Sequence, residues 1–183
     1  MRTFEVPTRE EVSPAAQEIL DNVNKKIGMI PNIYATIGNS ANALGSYLAF
    51  QGAQAQGSFN AKEREAVALA VAETNGCSYC QAAHTTIGKM SGLTEEETLD
   101  LRAGNSSDLR LNSLVTLAKD ITKNHGRPSA NNVEDFFAQG FDNAALIDLV
   151  LLVADNTVTN YVNNITGIAI DFPAAKSLDT VLA

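Results

Sequence analysis

The chain has 183 residues, with 13 Lys and Arg against 21 Asp and Glu, a formal charge of −8, two Cys, two His and no Trp. That length predicts one domain over 1–183 with a full core, and an apolar share of 45% excludes a disordered chain. The acidic balance argues against nucleic acid and anionic membranes as partners, two Cys exclude a multi-disulfide scaffold, and the Cys and His together leave at most one complete four-ligand zinc site of those types.

The N-terminal stretch MRTFEVPTREEV lacks an apolar run of signal-peptide length. The expected location is therefore cytoplasmic, where thiols stay reduced. Ser13 followed by Pro14 predicts a helix start, and Gly28 its end. Asn39 or Ser40 opens a second helix running towards Gly57. Asn60 and Glu63 have capping-box spacing ahead of the helix-forming run AKEREAVALAVAET, which stops at Asn75 and Gly76. A further helix begins near Cys77 and runs to about Met90. Thr94 and Glu97 form another capping box, Asp108 caps a helix ending near His125 and Gly126, and Ser129 opens a short one ending at Gly140. Asp142 opens a long helix towards Asn164. Its first half, from Ala144 to Ala154, is the most apolar stretch, but it falls short of the about 20 residues a spanning segment needs and reads as a core helix. Strand periodicity is weak throughout. The fold class is all-α, with seven to nine helices and short loops.

The chemistry concentrates between Glu65 and His84. Cys77 and Cys80 stand at the start of a helix, and His84 follows one turn later. Residues three and four apart share a helix face, so the three side chains form one stripe. The first-turn N–H groups lack helical partners and carry positive partial charge, which favours thiolate over thiol. Glu65 lies roughly 13 Å back from the end of the preceding helix, and His84 roughly 10 Å into the next, at about 1.5 Å per residue. If the chain reverses at Asn75 and Gly76, the carboxylate and the imidazole meet at similar depth. The order Glu65, His84, Cys80, Cys77 then forms a proton relay along one groove.

In the spacing of Glu65, Cys77, Cys80 and His84, and over about 35 residues around them, the chain resembles the AhpD-like alkylhydroperoxidase branch of the carboxymuconolactone decarboxylase family, in its peroxidase-related subgroup. The late NNITGIAIDFP segment is similar to that subgroup, though less specifically. The resemblance implies an all-helical AhpD-like fold, a homo-oligomer, and a redox-active Cys pair that reduces hydroperoxides. By the same resemblance Cys80 is the peroxidatic thiolate that becomes a sulfenic acid, Cys77 condenses with it to a disulfide, and Glu65 and His84 relay protons. The implied partners are a small hydroperoxide and a dithiol or thioredoxin-like reductant, and no cofactor is expected. The family's best-known members have His immediately before the second Cys, where this chain has Tyr79. A phenol, with a reference pKa near about 10, is a poor base at neutral pH, which leaves it a hydrogen-bonding role towards peroxide or water.

Other readings compete. A non-redox enzyme of the same family would act on a small organic acid or lactone with Glu65 and His84 as acid and base. In a helical interaction module the Cys pair would be incidental, and a zinc site would use Cys77, Cys80 and His84 with His125 or a carboxylate. Glu65 alone also suits a surface pair with Lys62. His125 fits a helix C-terminus, and Phe136, Phe137, Phe141, Tyr47 and Tyr161 suit packing.

Overall fold

The computed structural model describes residues 4–178. Among them are nine α-helices and no strand: α1 (Pro14–Ile27), α2 (Asn32–Ile37), α3 (Ala41–Gln54), α4 (Ala61–Thr74), α5 (Ser78–Met90), α6 (Glu95–Ala103), α7 (Leu109–Lys123), α8 (Ala130–Ala138) and α9 (Asn143–Thr166). The caps expected from sequence set the boundaries. The Ser13, Ser40, Asn60, Thr94, Asp108, Ser129 and Asp142 side chains each accept an N–H from the first turn of their helix. Two of these starts, at Asn60 and Thr94, are complete capping boxes. The short α2 escaped the sequence argument because Pro31, with no capping side chain, precedes it.

Helix α4 is the hub. Its stretch from Ala66 to Ala72 is buried on every side, and α5, α6, α7 and α9 all pack on it. Such a helix is buried because no face of it is polar enough for water. Two apolar clusters flank it. The larger joins α4, α7, α8 and α9, with Phe136 stacked on Phe141 at 4.2 Å between centroids. The smaller brings α1, α2 and α3 and the segment after α9 over the start of α5. This second cluster contains both cysteines, so the pair lies inside a core rather than in an open cleft.

The long α9 is a core helix on one face only. Leu149, Leu152 and Val153 are buried, whereas Ile147, Leu151, Val158, Tyr161 and Ile165 are exposed. Tyr161, expected to pack, is 51% exposed and belongs to this outer stripe. The buried face turns polar in its second half, where Asp155, Asn156, Thr159, Asn160 and Asn163 all point inward.

Candidate active site

The turn between α4 and α5 builds the site. Gly76 adopts φ +64°, a conformation that favours glycine, and lets the chain reverse. The Cys77 N–H then closes α4 by donating to the Ala72 carbonyl at 2.9 Å. The Cys77 sulfur opens α5 as its N-cap, accepting the Cys80 N–H at 3.2 Å. One residue thus ends one helix and starts the next, which fixes the sulfur on the positive end of α5.

The reversal brings Glu65 and His84 together as the depth argument expected. Glu65 Oε2 lies 2.8 Å from His84 Nδ1. The competing surface pairing of Glu65 is not formed, because Lys62 reaches Glu97 instead at 3.0 Å. Gly88, one turn beyond His84, has no side chain to hold the helices apart. A Cβ there would sit 3.7 Å from Glu65 Cβ and 2.9 Å from the end of Leu93. The Glu65 and His84 side chains keep 16% and 19% exposure, while Cys77 and Cys80 keep 0% and 2%. The ion pair is therefore the wetter end of the site and the sulfurs are its interior.

Electrostatics divide the two sulfurs. A hydrogen bond from the Cys80 thiol lowers the Cys77 pKa against the opposing effect of burial, assisted by the Cys80 N–H, the His84 charge and Asn163. The same contact raises Cys80, and burial and the Cys77 charge raise it further. Of the two sulfurs, Cys77 is therefore the more readily ionised. Burial alone would lower the His84 pKa, but Glu65, then Asp155 and Cys77, outweigh it and raise the value.

Tyr79 has its hydroxyl engaged away from the sulfurs. Its hydroxyl donates to Asp171 Oδ1 at 2.6 Å and accepts the Ile33 N–H at 3.3 Å, and its ring meets Phe172 edge-on at 5.8 Å. Asp171 also accepts the Asn32 N–H at 2.8 Å. Tyr79 is a latch that ties α5 to the start of α2 and to the segment after α9. His125 sits at the exposed end of α7 with φ +53°.

The polar face of α9 completes the site and was not anticipated. Thr159 Oγ1 lies 4.0 Å from the Cys80 sulfur. One turn earlier, Asp155 is 5% exposed, and its Oδ1 has no hydrogen-bond partner. Burial pushes its carboxyl up to about 6, against the opposing influence of the Tyr47 hydroxyl and the His84 charge. A repeat was visible in the sequence: Asp155, Asn156, Thr159, Asn160 and Asn163 share one helical face inside an otherwise apolar run.

Residues 42–120, from α3 into α7, match the carboxymuconolactone decarboxylase family. That match covers less than half of the chain, and the fold as a whole is AhpD-like. A peroxidase-related protein from Ralstonia eutropha JMP134 with the AhpD core has the same fold, with a TM-score of 0.81 and 19% identity, over 92% of this chain and 91% of the other. One from Silicibacter sp. TM1040 gives 0.77 and 20%, over 90% and 88%. The debrominase Bmp8, in a complex with 2,3,4-tribromopyrrole, gives 0.78 and 14%, over 93% of each chain. In sequence, the Bacillus subtilis protein YdfG, itself uncharacterized, is 27% identical over 101 residues, which is 54% of this chain and 69% of YdfG. The AhpD-like fold thus serves proteins named for decarboxylase, peroxidase-related and debrominase chemistry. The identity of the reacting groups must decide among them.

Proposed function

We propose that the chain is a thiol-dependent peroxidase of AhpD-like type, in which Cys77 and Cys80 form the redox pair. One observation carries the reading: the Cys77 sulfur caps α5 and accepts the Cys80 N–H, beside the 2.8 Å pair of Glu65 and His84. A thiolate needs such a cap, and a leaving alkoxide needs such an acid.

The Cys77 thiolate attacks the distal oxygen of a hydroperoxide. The S–O bond forms, the O–O bond breaks, and the alkoxide takes the proton of the His84 imidazolium to leave as alcohol. Glu65 orients the ring and stabilises its charge. The Cys80 thiol then attacks the Cys77 sulfenic acid, closing the disulfide and releasing water before further oxidation. A dithiol restores the pair by exchange. The family resemblance alone gives the first attack to Cys80. The N-cap position of Cys77 moves it one helical turn back.

Free thiols in the described structure suit a reducing compartment such as the cytoplasm. The exposed stripe of Ile147, Leu151, Val158, Tyr161 and Ile165 on α9 includes Ala154 and repeats at intervals of four and three residues, the spacing of a coiled-coil seam. No charged residue stands on it, so a second copy of the same helix is its natural cover. The non-redox family reading would leave both thiols untouched, and a zinc module would bind metal through them.

The test is a thiol titration after one equivalent of hydroperoxide. Two thiols should disappear from the wild type. Cys80→Ser should stop at a trappable sulfenic acid on Cys77, and Cys77→Ser should lose rapid consumption. Retention of both thiols in folded protein overturns the peroxidase reading, and sulfenic acid only on Cys80 reverses the assignment of the two sulfurs.

A further inference from the structure

Asn160 lies on the inward face of α9 and has no exposed surface. Its Oδ1 accepts the Asn75 side-chain amide at 2.9 Å. Asn75 is the C-cap of α4, and its carbonyl in turn accepts the Asn164 side-chain amide at 2.8 Å. The Asn160 oxygen is therefore committed to one side, and its Nδ2 is turned to the other. There it has no formed hydrogen bond, on the buried stretch of α9 whose Thr159 Oγ1 lies 4.0 Å from the Cys80 sulfur, and it favours that sulfur's ionised form.

Buried amide donors are almost always paired, so one held unpaired beside a reactive sulfur calls for a reason. Thr159 does not supply the same donor. Its oxygen lies 4.0 Å from the Cys80 sulfur and it too favours the ionised form, but its hydroxyl already donates to the Asn156 carbonyl at 3.0 Å. Once Cys80 loses its proton, Thr159 must break an existing bond to help. Asn160 need break none.

We propose that Asn160 is a catalytic donor for Cys80: its Nδ2–H holds the Cys80 sulfur as a thiolate while that sulfur closes the disulfide and, in the reverse direction, while it leaves. The assignment rests on the thiol-peroxidase reading for its place in turnover. In closure, the Cys80–H bond breaks, the sulfur's electron pair forms the S–S bond, and the Cys77 S–O bond breaks. The thiol proton departs with the hydroxide as water. In reduction, a dithiol attacks the Cys77 sulfur, and the electron pair of the S–S bond leaves on Cys80. Both transition states put negative charge on a sulfur that its surroundings otherwise keep protonated. A fixed dipole already aimed at that point stabilises the charge without reorganising.

The experiment measures Cys80 without relying on peroxide. Alkylation by iodoacetamide is followed against pH in Cys77→Ser, with and without Asn160→Ala. Closure of the disulfide by diamide is followed in wild type, Asn160→Ala and Asn75→Ala. Loss of the donor should move the Cys80 alkylation profile to higher pH and slow diamide closure on the order of tenfold or more. Asn75→Ala keeps the donor but frees its orientation, and should give a smaller slowing, so the inference remains testable if Asn160→Ala folds poorly. With hydroperoxide, Asn160→Ala should accumulate the Cys77 sulfenic acid that the wild type passes on to the disulfide. Unchanged profiles and closure rates in folded variants overturn the role of Asn160. Normal closure by diamide with no response to hydroperoxide in any variant instead overturns the peroxidase reading.

Discussion

Replacing Asp155 with Asn isolates the one buried carboxyl beside the cysteine pair. In the folded protein its pKa is pushed up to about 6 from an ordinary 3.8. A raised acid pKa means that the folded state holds the proton more tightly than the unfolded chain does. Below the ordinary value both states are protonated and nothing is at stake. As pH rises from there, the unfolded chain ionises first and the folded state loses relative stability, until both are ionised above about 6. The gap of about two units corresponds to about 3 kcal/mol at 1.36 kcal/mol per unit. Asn resembles the protonated acid in shape and carries no charge. Asp155→Asn should therefore match the wild type in acid and become more stable by about 1–3 kcal/mol near pH 8. Urea unfolding at several pH values, with equal m-values, gives the comparison. A variant less stable than wild type near pH 8, or a difference independent of pH, would refute the reasoning.

Glu65→Gln removes the main charge that raises His84. A raised His pKa contributes stability that is complete below the unfolded value and fades as pH rises through the folded one. The deficit of Glu65→Gln should thus be largest near pH 6 and shrink in alkali, and NMR titration should show the His84 pKa falling. Tyr79→Phe strands Asp171 Oδ1 and the Ile33 N–H. It should cost about 1–3 kcal/mol in urea unfolding while leaving the first oxidation step near the wild-type rate. A large rate loss without destabilisation would return Tyr79 to the chemistry. Val158→Glu combined with Ile165→Glu places two charges on the α9 stripe and should lower the mass seen by light scattering, whereas a monomeric wild type would remove the self-association proposal.

What could be read from sequence was what local chemistry dictates. Ser13, Asn60, Thr94 and Asp142 were legible because a capping side chain acts on its own first turn. Glu65 and His84 were nearly as legible, because one tight reversal links their helices and helical rise fixes depth. Tyr79 was not, since its partners Ile33 and Asp171 lie 46 and 92 residues away. Pro31 gave α2 no side-chain cap to read. The α9 contribution lay between these cases. Its polar stripe is periodic in the sequence, but only the packing of α9 on α3, α4 and α5 brings Asp155 under the influence of Tyr47 and His84, and Thr159 to 4.0 Å from the Cys80 sulfur.

The protein's charge of −8 gives no general help to a buried thiolate. The support has to be local, and the site shows its limit. One imidazolium, His84, stands among Glu65, Asp155 and Cys77, all of which can be negative. With every group ionised, this half-buried cluster would carry two uncompensated charges, which low-dielectric surroundings resist. Asp155 lessens that excess only below about pH 6, where it holds its proton, and Cys80, harder to ionise than Cys77, adds no further charge. As Asp155 ionises, its charge tightens the hold on the His84 proton. Glu65, Asp155 and Cys77 thus all favour the protonated form of His84 over that of an isolated imidazole, and in the proposed reaction that proton is the one a leaving alkoxide takes.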